Sequence, residues 1–270
     1  MPSQRSSSGA AGPGGAASES GSVRSVERAL EILNLLSEDR PRVTIREIVE
    51  ETGLAKTTVI RIAHTLVQNG LLWSTDTGFM AGPGLWRWAH LAHHAWELPA
   101  QMQQMMQDLA KEQQETVNLY IRRDIHRICI AQAESPRALR HVVRIGDELP
   151  LWGGASSKAL LLDADDALVK RVAASAPRGV EHLDADELRA AIEVVRAEGF
   201  AASHGERESG VSAVAVPLLD DAGSVFAALS VSGSTPRFSE ERVIEIVPAL
   251  RSLADGMAGR GLGAAFGRAR

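Results

Sequence analysis

The 270-residue chain has a single cysteine, Cys129. That excludes an internal disulfide and a cysteine-based zinc site, and it suits a reducing cytoplasm. No apolar run approaches the roughly 20 residues of a membrane span, so no spanning segment is expected. The first residues are rich in Ser, Gly and Ala with one early cation, Arg5, and they lack the apolar middle of a secretory signal. Residues 1–22 read as a disordered tail. Catalytic signatures are missing too: there is no Gly-x-Ser-x-Gly elbow, no phosphate loop and no His-Glu-x-x-His. Cys129 sits in the apolar run Ile128-Cys129-Ile130, more a core residue than a nucleophile. No catalytic residue, metal or cofactor is assigned.

One stretch lacks charge of one sign. From Lys56 to Leu72 there is no carboxylate, although the segment has a helical period. Val59, Ile62, Ala63, Leu66 and Val67 form its apolar stripe. The opposite side carries Thr57, Arg61, His64 and Gln68. Taken alone, such a face suits plain solvation as well as it suits a polyanion.

The composition, 44% hydrophobic and 23% charged, is that of a soluble globular protein, with length for one large domain or two ordinary ones. Net charge is −5 and unevenly spread. Residues 23–95 hold eight Arg/Lys and eight Asp/Glu, whereas residues 96–270 hold 20 against 25. That asymmetry points to different partners for the two parts.

The first part, residues 23–82, opens with RSVERALEILNLLSE, an amphipathic helix. Thr44 to Glu47 is a capping box starting a short second helix that stops at Gly53. The carboxylate-free helix follows and ends at Asn69-Gly70, and then strand, turn and strand run to Phe79-Met80. Three helices and a hairpin in this order make a winged helix-turn-helix, whose third helix enters the major groove of DNA. Lys56, Thr57 and Thr58 lie at its N-terminus, where helix dipole and free N–H groups favour phosphate. Arg61 suits a bidentate pair with guanine, and His64 and Gln68 suit base edges or phosphate. Arg24, Ser25, Thr44 and Arg46, around the starts of the first two helices, complete the candidate DNA-binding set.

Residues 83–98 are too apolar for one interface with a small domain, and Trp86, Trp88 and Trp96 stand among them. They read as a linker helix that also packs against a second subunit. His90, His93 and His94 have a spacing that can place two imidazoles on a metal. With no carboxylate or cysteine on that face, a solvated cluster is preferred.

The remainder, residues 99–258, reads as an α+β domain. An amphipathic helix precedes two strands around an Arg-Asp turn, and ALRHVVRIGDELPL suggests a third strand ending at Gly146-Asp147. Asp184 and Glu187 form a second capping box, two apolar strands flank Asp-Asp-Ala-Gly, and a helix begun by Ser239 closes the domain. Residues 259–270 are expected to be a flexible tail. Ser230 and Ser232, two apart, share one face of a strand. Alone, that pair fits a solvated face or bonds to backbone as readily as a ligand.

RSVERALEILNLLSE, TIREIVEETGLAKTTVIRIAHTLVQNGLL, Glu134-Ser135, GDELPLWGGASSKALLL and EGFAASHGERESGVSAVAVPLLDDAGSVFAALSVSG occur in an order and spacing that resembles the IclR family of bacterial transcription regulators, across nearly all of residues 23–258. The resemblance implies an N-terminal winged helix, a dimerising linker helix and a GAF-like C-terminal domain that binds a small-molecule effector. It also implies double-stranded DNA as partner at palindromic operators, with homodimers or dimers of dimers. By alignment of these blocks, effector contacts fall near Ala155 and Ser156, from Ser203 to Glu206, near Ala213, and on Ser230 and Ser232. Gly154 is expected to admit a ligand close to the backbone, and Trp152, where relatives commonly carry His, to enlarge an apolar wall. A GAF-like domain that serves only oligomerisation or protein interaction is the alternative. The wing, STDTGFMAGP, departs from the family in having Asp76 and no cation.

Overall fold

The computed structural model describes residues 23–260 and 262, apart from residue 141. The expected tail at 1–22 lies outside the described residues, as does most of 259–270. Leu262 is described, and it is buried in a core. The chain divides into two compact units, residues 1–94 and 95–270.

In the first unit, α1 (Arg24–Asn34), β1 (Arg42–Val43), α2 (Ile45–Thr52) and α3 (Lys56–Gln68) precede a hairpin of β2 (Leu72–Thr75) and β3 (Gly78–Ala81). The expected capping box starts α2: the Glu47 N–H donates to Thr44 Oγ1 and the Thr44 N–H to Glu47 Oε2, at 3.2 and 2.7 Å. The Thr44 hydroxyl, with the largest effect, and the Thr44 N–H both donate to the Glu47 carboxyl and hold it below its usual range. Gly53, at φ 66°, ends α2 and turns the chain toward α3. Ile32, Val43, Ile48, Val59, Ala63, Leu66 and Leu72 form the core.

Sequence periodicity missed β1, which is only two residues long. It pairs antiparallel with β3, Arg42 opposite Met80, so the wing is a three-stranded sheet in the order β1-β3-β2. Gly78 is what allows this. Its φ is 137°, and a Cβ there would stand 2.6 Å from the Val43 carbonyl oxygen. The linker helix is α4 (Leu85–Trp96).

The second unit comprises α5 (Ala100–Gln113), β4 (Thr116–Arg123), β5 (His126–Ala133), β6 (Glu148–Pro150), α6 (Ala155–Leu160), α7 (Asp166–Ala174), α8 (Ala185–Glu198), β7 (Ala201–His204), β8 (Val211–Leu219), β9 (Val225–Ser234) and α9 (Glu240–Ala258). Its sheet runs β6-β5-β4-β9-β8-β7 with every neighbour antiparallel. Alternation sorts the strands between two cores. Val117, Leu119, Leu229, Val231, Val214 and Val216 face α5 and α9. Tyr120, Cys129, Ala228 and Ala215 face α6, α7 and α8.

The third strand is displaced from its expected place. None of the described residues in 136–147 is in a strand, and Leu139, Val142 and Ile145 are exposed. The Gly146 N–H donates to the Cys129 carbonyl and the Cys129 N–H to the Asp147 carbonyl. The loop thereby satisfies that edge of β5, and strand pairing begins only at Glu148.

Candidate functional site

On α3, Lys56, Thr57, Arg61, His64 and Gln68 are exposed, Thr58 is half-buried, and Val59, Ala63 and Leu66 are buried. The side chains of Lys56, Arg61, His64 and Gln68 make no hydrogen bond or ion pair among the described residues. Their donors stay available on one face, with no carboxylate on the helix to repel phosphate. Ser25, Thr58 and Arg61 border a groove between α1 and α3.

The other nominated residues differ in availability. Arg24 is exposed at the start of α1, and Arg46 is exposed 3.6 Å from Glu50. The Thr44 hydroxyl is already engaged with Glu47. The wing does have a cation: Arg42, carried by β1, donates to Thr77 Oγ1 at 3.4 Å. Only the β1–β3 pairing brings it there, which is why the hairpin sequence alone hid it.

Every residue of α4 outside the second unit's core is at least partly exposed, with Trp86 79% and Trp88 58% accessible. His90 and His94 meet edge to face at 4.6 Å. No group of three His, Cys, Asp or Glu that could hold a metal occurs among the described residues.

The second candidate site is a cavity of about 40 Å³ on the α6 side of the sheet. Gly154, Ala155, Ser156, Ser203, Glu206, Ala213, Ser230 and Ser232 all line it. Register explains their convergence: Ser232 stands opposite Ala213 on β8 and Ala213 opposite Ser203 on β7. On its other side, β9 pairs Ser230 with Asn118 of β4. Asn118 donates to Ser232 Oγ at 3.3 Å, and Gln132 donates to Asn118 Oδ1 at 3.1 Å. Ser156, Ser203 and Ser230 are buried, yet their hydroxyls find no partner among the described residues.

Two expectations need correction. Trp152 does not line the cavity; its indole is buried in the core beneath α6–α8. The backbone at Gly154, where a ligand was expected to approach, is not open either. The Gly154 N–H donates to Glu206 Oε2 at 2.9 Å, and Lys158 Nζ donates to the other carboxylate oxygen.

Sequence reading also missed Arg127, Tyr120 and Arg207, which line the cavity. Arg127 is 4% exposed, and its Nη1 donates to the carbonyls of Pro150 and Gly153 at 2.8 and 3.1 Å and to Ser157 Oγ. Its guanidinium lies 5.4 Å from the Tyr120 ring centroid. Gly154, at φ 104°, lets it approach: a Cβ there would be 3.3 Å from Nη2. Burial lowers the Arg127 pKa to about 10, against the opposing pull of Tyr120 and Glu206. The group therefore remains charged at neutral pH. Burial likewise raises the Tyr120 hydroxyl and pushes the Cys129 thiol up to about 12, so Cys129 is an inert core thiol.

A winged helix with a carboxylate-free third helix, joined in one chain to an α+β unit with a polar buried cavity, defines a DNA-binding protein with a separate C-terminal domain. The comparisons make the class specific. Residues 25–74 match the IclR helix-turn-helix domain and residues 90–258 match the C-terminal domain of bacterial IclR transcriptional regulators. The chain belongs to the IclR family of transcriptional regulators. It is 31% identical over 251 residues to the HTH-type transcriptional regulator KdgR of Escherichia coli K12, covering 86% of this chain and 90% of that one. An IclR-family transcriptional regulator from Rhodococcus shares 39% identity, with 92% and 97% coverage and a TM-score of 0.58. An IclR homolog from Microbacterium hydrocarbonoxydans, solved with 4-hydroxybenzoate, has the same fold at 22% identity, 87% and 98% coverage and a TM-score of 0.68.

Proposed function

We propose that this chain is a cytoplasmic, homo-oligomeric regulator that binds a palindromic operator through residues 23–82 and senses a small anionic metabolite through residues 99–258. Residues 83–98 join the two parts and dimerise. The observation that carries the DNA reading is the unpaired Lys56–Arg61–His64–Gln68 face on α3. Thr57 and Thr58 start that helix with hydroxyls, and Arg24, Ser25, Thr44 and Arg46 flank it in the contact surface.

The sensing reading rests on the buried Arg127 Nε, which has no hydrogen-bond partner, beside a cavity lined by the unpaired hydroxyls of Ser156, Ser203 and Ser230. Buried polar groups are ordinarily satisfied, so a polar ligand is the expected complement. A protein of the same fold with 4-hydroxybenzoate bound supports it. The small volume of the cavity favours a second reading, a ligand-independent regulator whose C-terminal domain serves oligomerisation. Under that reading no metabolite changes operator affinity.

Dimerisation is supported by the exposed indoles of Trp86 and Trp88, a poor surface for a lone monomer. A two-fold dimer presents two recognition helices to a palindrome. Sedimentation at micromolar concentration should show a dimer or a dimer of dimers, with Trp88→Lys shifted toward monomer; a wild-type monomer bound to a full operator would remove the linker from this role.

Two variants separate the halves of the proposal. Arg61→Ala should weaken specific DNA binding by about 1–3 kcal/mol and relax preference at one position of each half-site. Unchanged affinity and unchanged preference in a gel-shift titration would take Arg61 off the contact surface. Ser230→Ala with Ser232→Ala should abolish the effector response and leave ligand-free operator affinity nearly intact. A double variant that responds like wild type would place the pocket elsewhere.

A further inference from the structure

We infer that Arg127 is the residue that receives the ligand's carboxylate, through the Nε–Nη2 edge of its guanidinium. The inference rests on reading the cavity as an effector site. Nη1 alone carries the guanidinium's hydrogen bonds, all to neutral acceptors. Nε is fully buried without a partner, and Nη2 makes no bond among the described residues. The unpaired edge is the one that matches a planar carboxylate with two parallel N–H donors.

Charge around the cavity leads to the same group. Lys158 pairs with Glu206, and Arg207 lies 3.1 Å from Glu208. Arg127 has no carboxylate within ion-pair distance among the described residues. Three cations thus face two carboxylates, and the surplus charge is the most buried of the five. A buried charge lacking a counter-ion is costly, so an anion that reaches it recovers a large electrostatic stabilisation. The unpaired hydroxyls of Ser156, Ser203 and Ser230 supply further donors for carboxylate oxygens. A cavity near 40 Å³ exceeds what one water needs but falls far below the ~300 Å³ of an ordinary small-molecule pocket. It therefore suits a compact, planar group better than a tetrahedral phosphate. A purely structural Arg127, tying down Pro150 and Gly153, would leave its free edge without a role.

The test is thermal unfolding of the full chain at matched ionic strength in chloride, acetate, benzoate and inorganic phosphate. At a few times the dissociation constant, acetate or benzoate should raise the wild-type melting temperature saturably by about 2–4 °C over chloride. Arg127→Met should lose that increment. Arg127→Lys keeps the charge without the two-donor edge, and should need at least tenfold more carboxylate. Carboxylate stabilisation that is absent from the wild type, or equal in all three proteins, overturns the inference. So does phosphate stabilising as much as the carboxylates. Operator binding separates the two claims: if acetate or benzoate shifts operator affinity equally in wild type and Arg127→Met, the effector reading stands and Arg127 falls. If Arg127-dependent stabilisation leaves operator affinity unmoved, the anion site stands and the effector reading falls.

Discussion

A guanidinium held in the interior by neutral oxygens is a costly arrangement, and the cavity of the C-terminal unit is built beside it. β5 positions Arg127, the end of β6 supplies the Pro150 carbonyl, the turn before α6 supplies that of Gly153, and Ser157 of α6 adds its hydroxyl. Gly154 has no Cβ, so the helix start can close on Nη2. Glu206, whose charge pulls on Arg127, is committed to the Gly154 N–H and to Lys158. Arg127 itself has no carboxylate within ion-pair distance among the described residues. The hydroxyls of Ser156, Ser203 and Ser230 border the same space, and they too lack partners among the described residues.

The DNA-binding unit follows the opposite electrostatic rule. There the cations are exposed and the helix that carries them excludes carboxylates, so affinity for phosphate requires no buried charge. Its own stability comes from a small apolar core and from local devices, the α2 capping box and the Gly78 contact that admits β1. The same β1 brings Arg42 to the wing. Exposed cations in the first unit and one buried guanidinium in the second are two different placements of charge in one chain.

Local signals were legible in the sequence, and non-local ones were not. Thr44/Glu47 and Asp184/Glu187 read as capping boxes because all their partners lie within three residues, and both boxes form. The face of α3 was readable from helical period alone, and the shared face of Ser230 and Ser232 from strand period. β1 and β7 are too short to show a period. The segment before Gly146 has strand-like apolar residues, but its backbone partners are consumed by the loop, which only tertiary structure reveals. Arg127 was invisible for a similar reason. In sequence it lies in a polar run after the Asp124 turn, and its burial depends on residues 23 to 30 positions away. Trp152 failed in the other direction: Gly154, Ala155 and Ser156 shortly after it line the cavity, while its own side chain is buried in the core.

If the C-terminal unit is a receptor that controls DNA binding, ligand and operator must be thermodynamically coupled, and the coupling must be reciprocal. The most direct measurement is calorimetric titration of a stabilising carboxylate into the full chain, free and saturated with operator duplex. The account predicts that the two ligand dissociation constants differ by roughly 5–150-fold, with operator affinity changing by the same factor at saturating ligand. Identical ligand affinity in the free and operator-bound protein would contradict it.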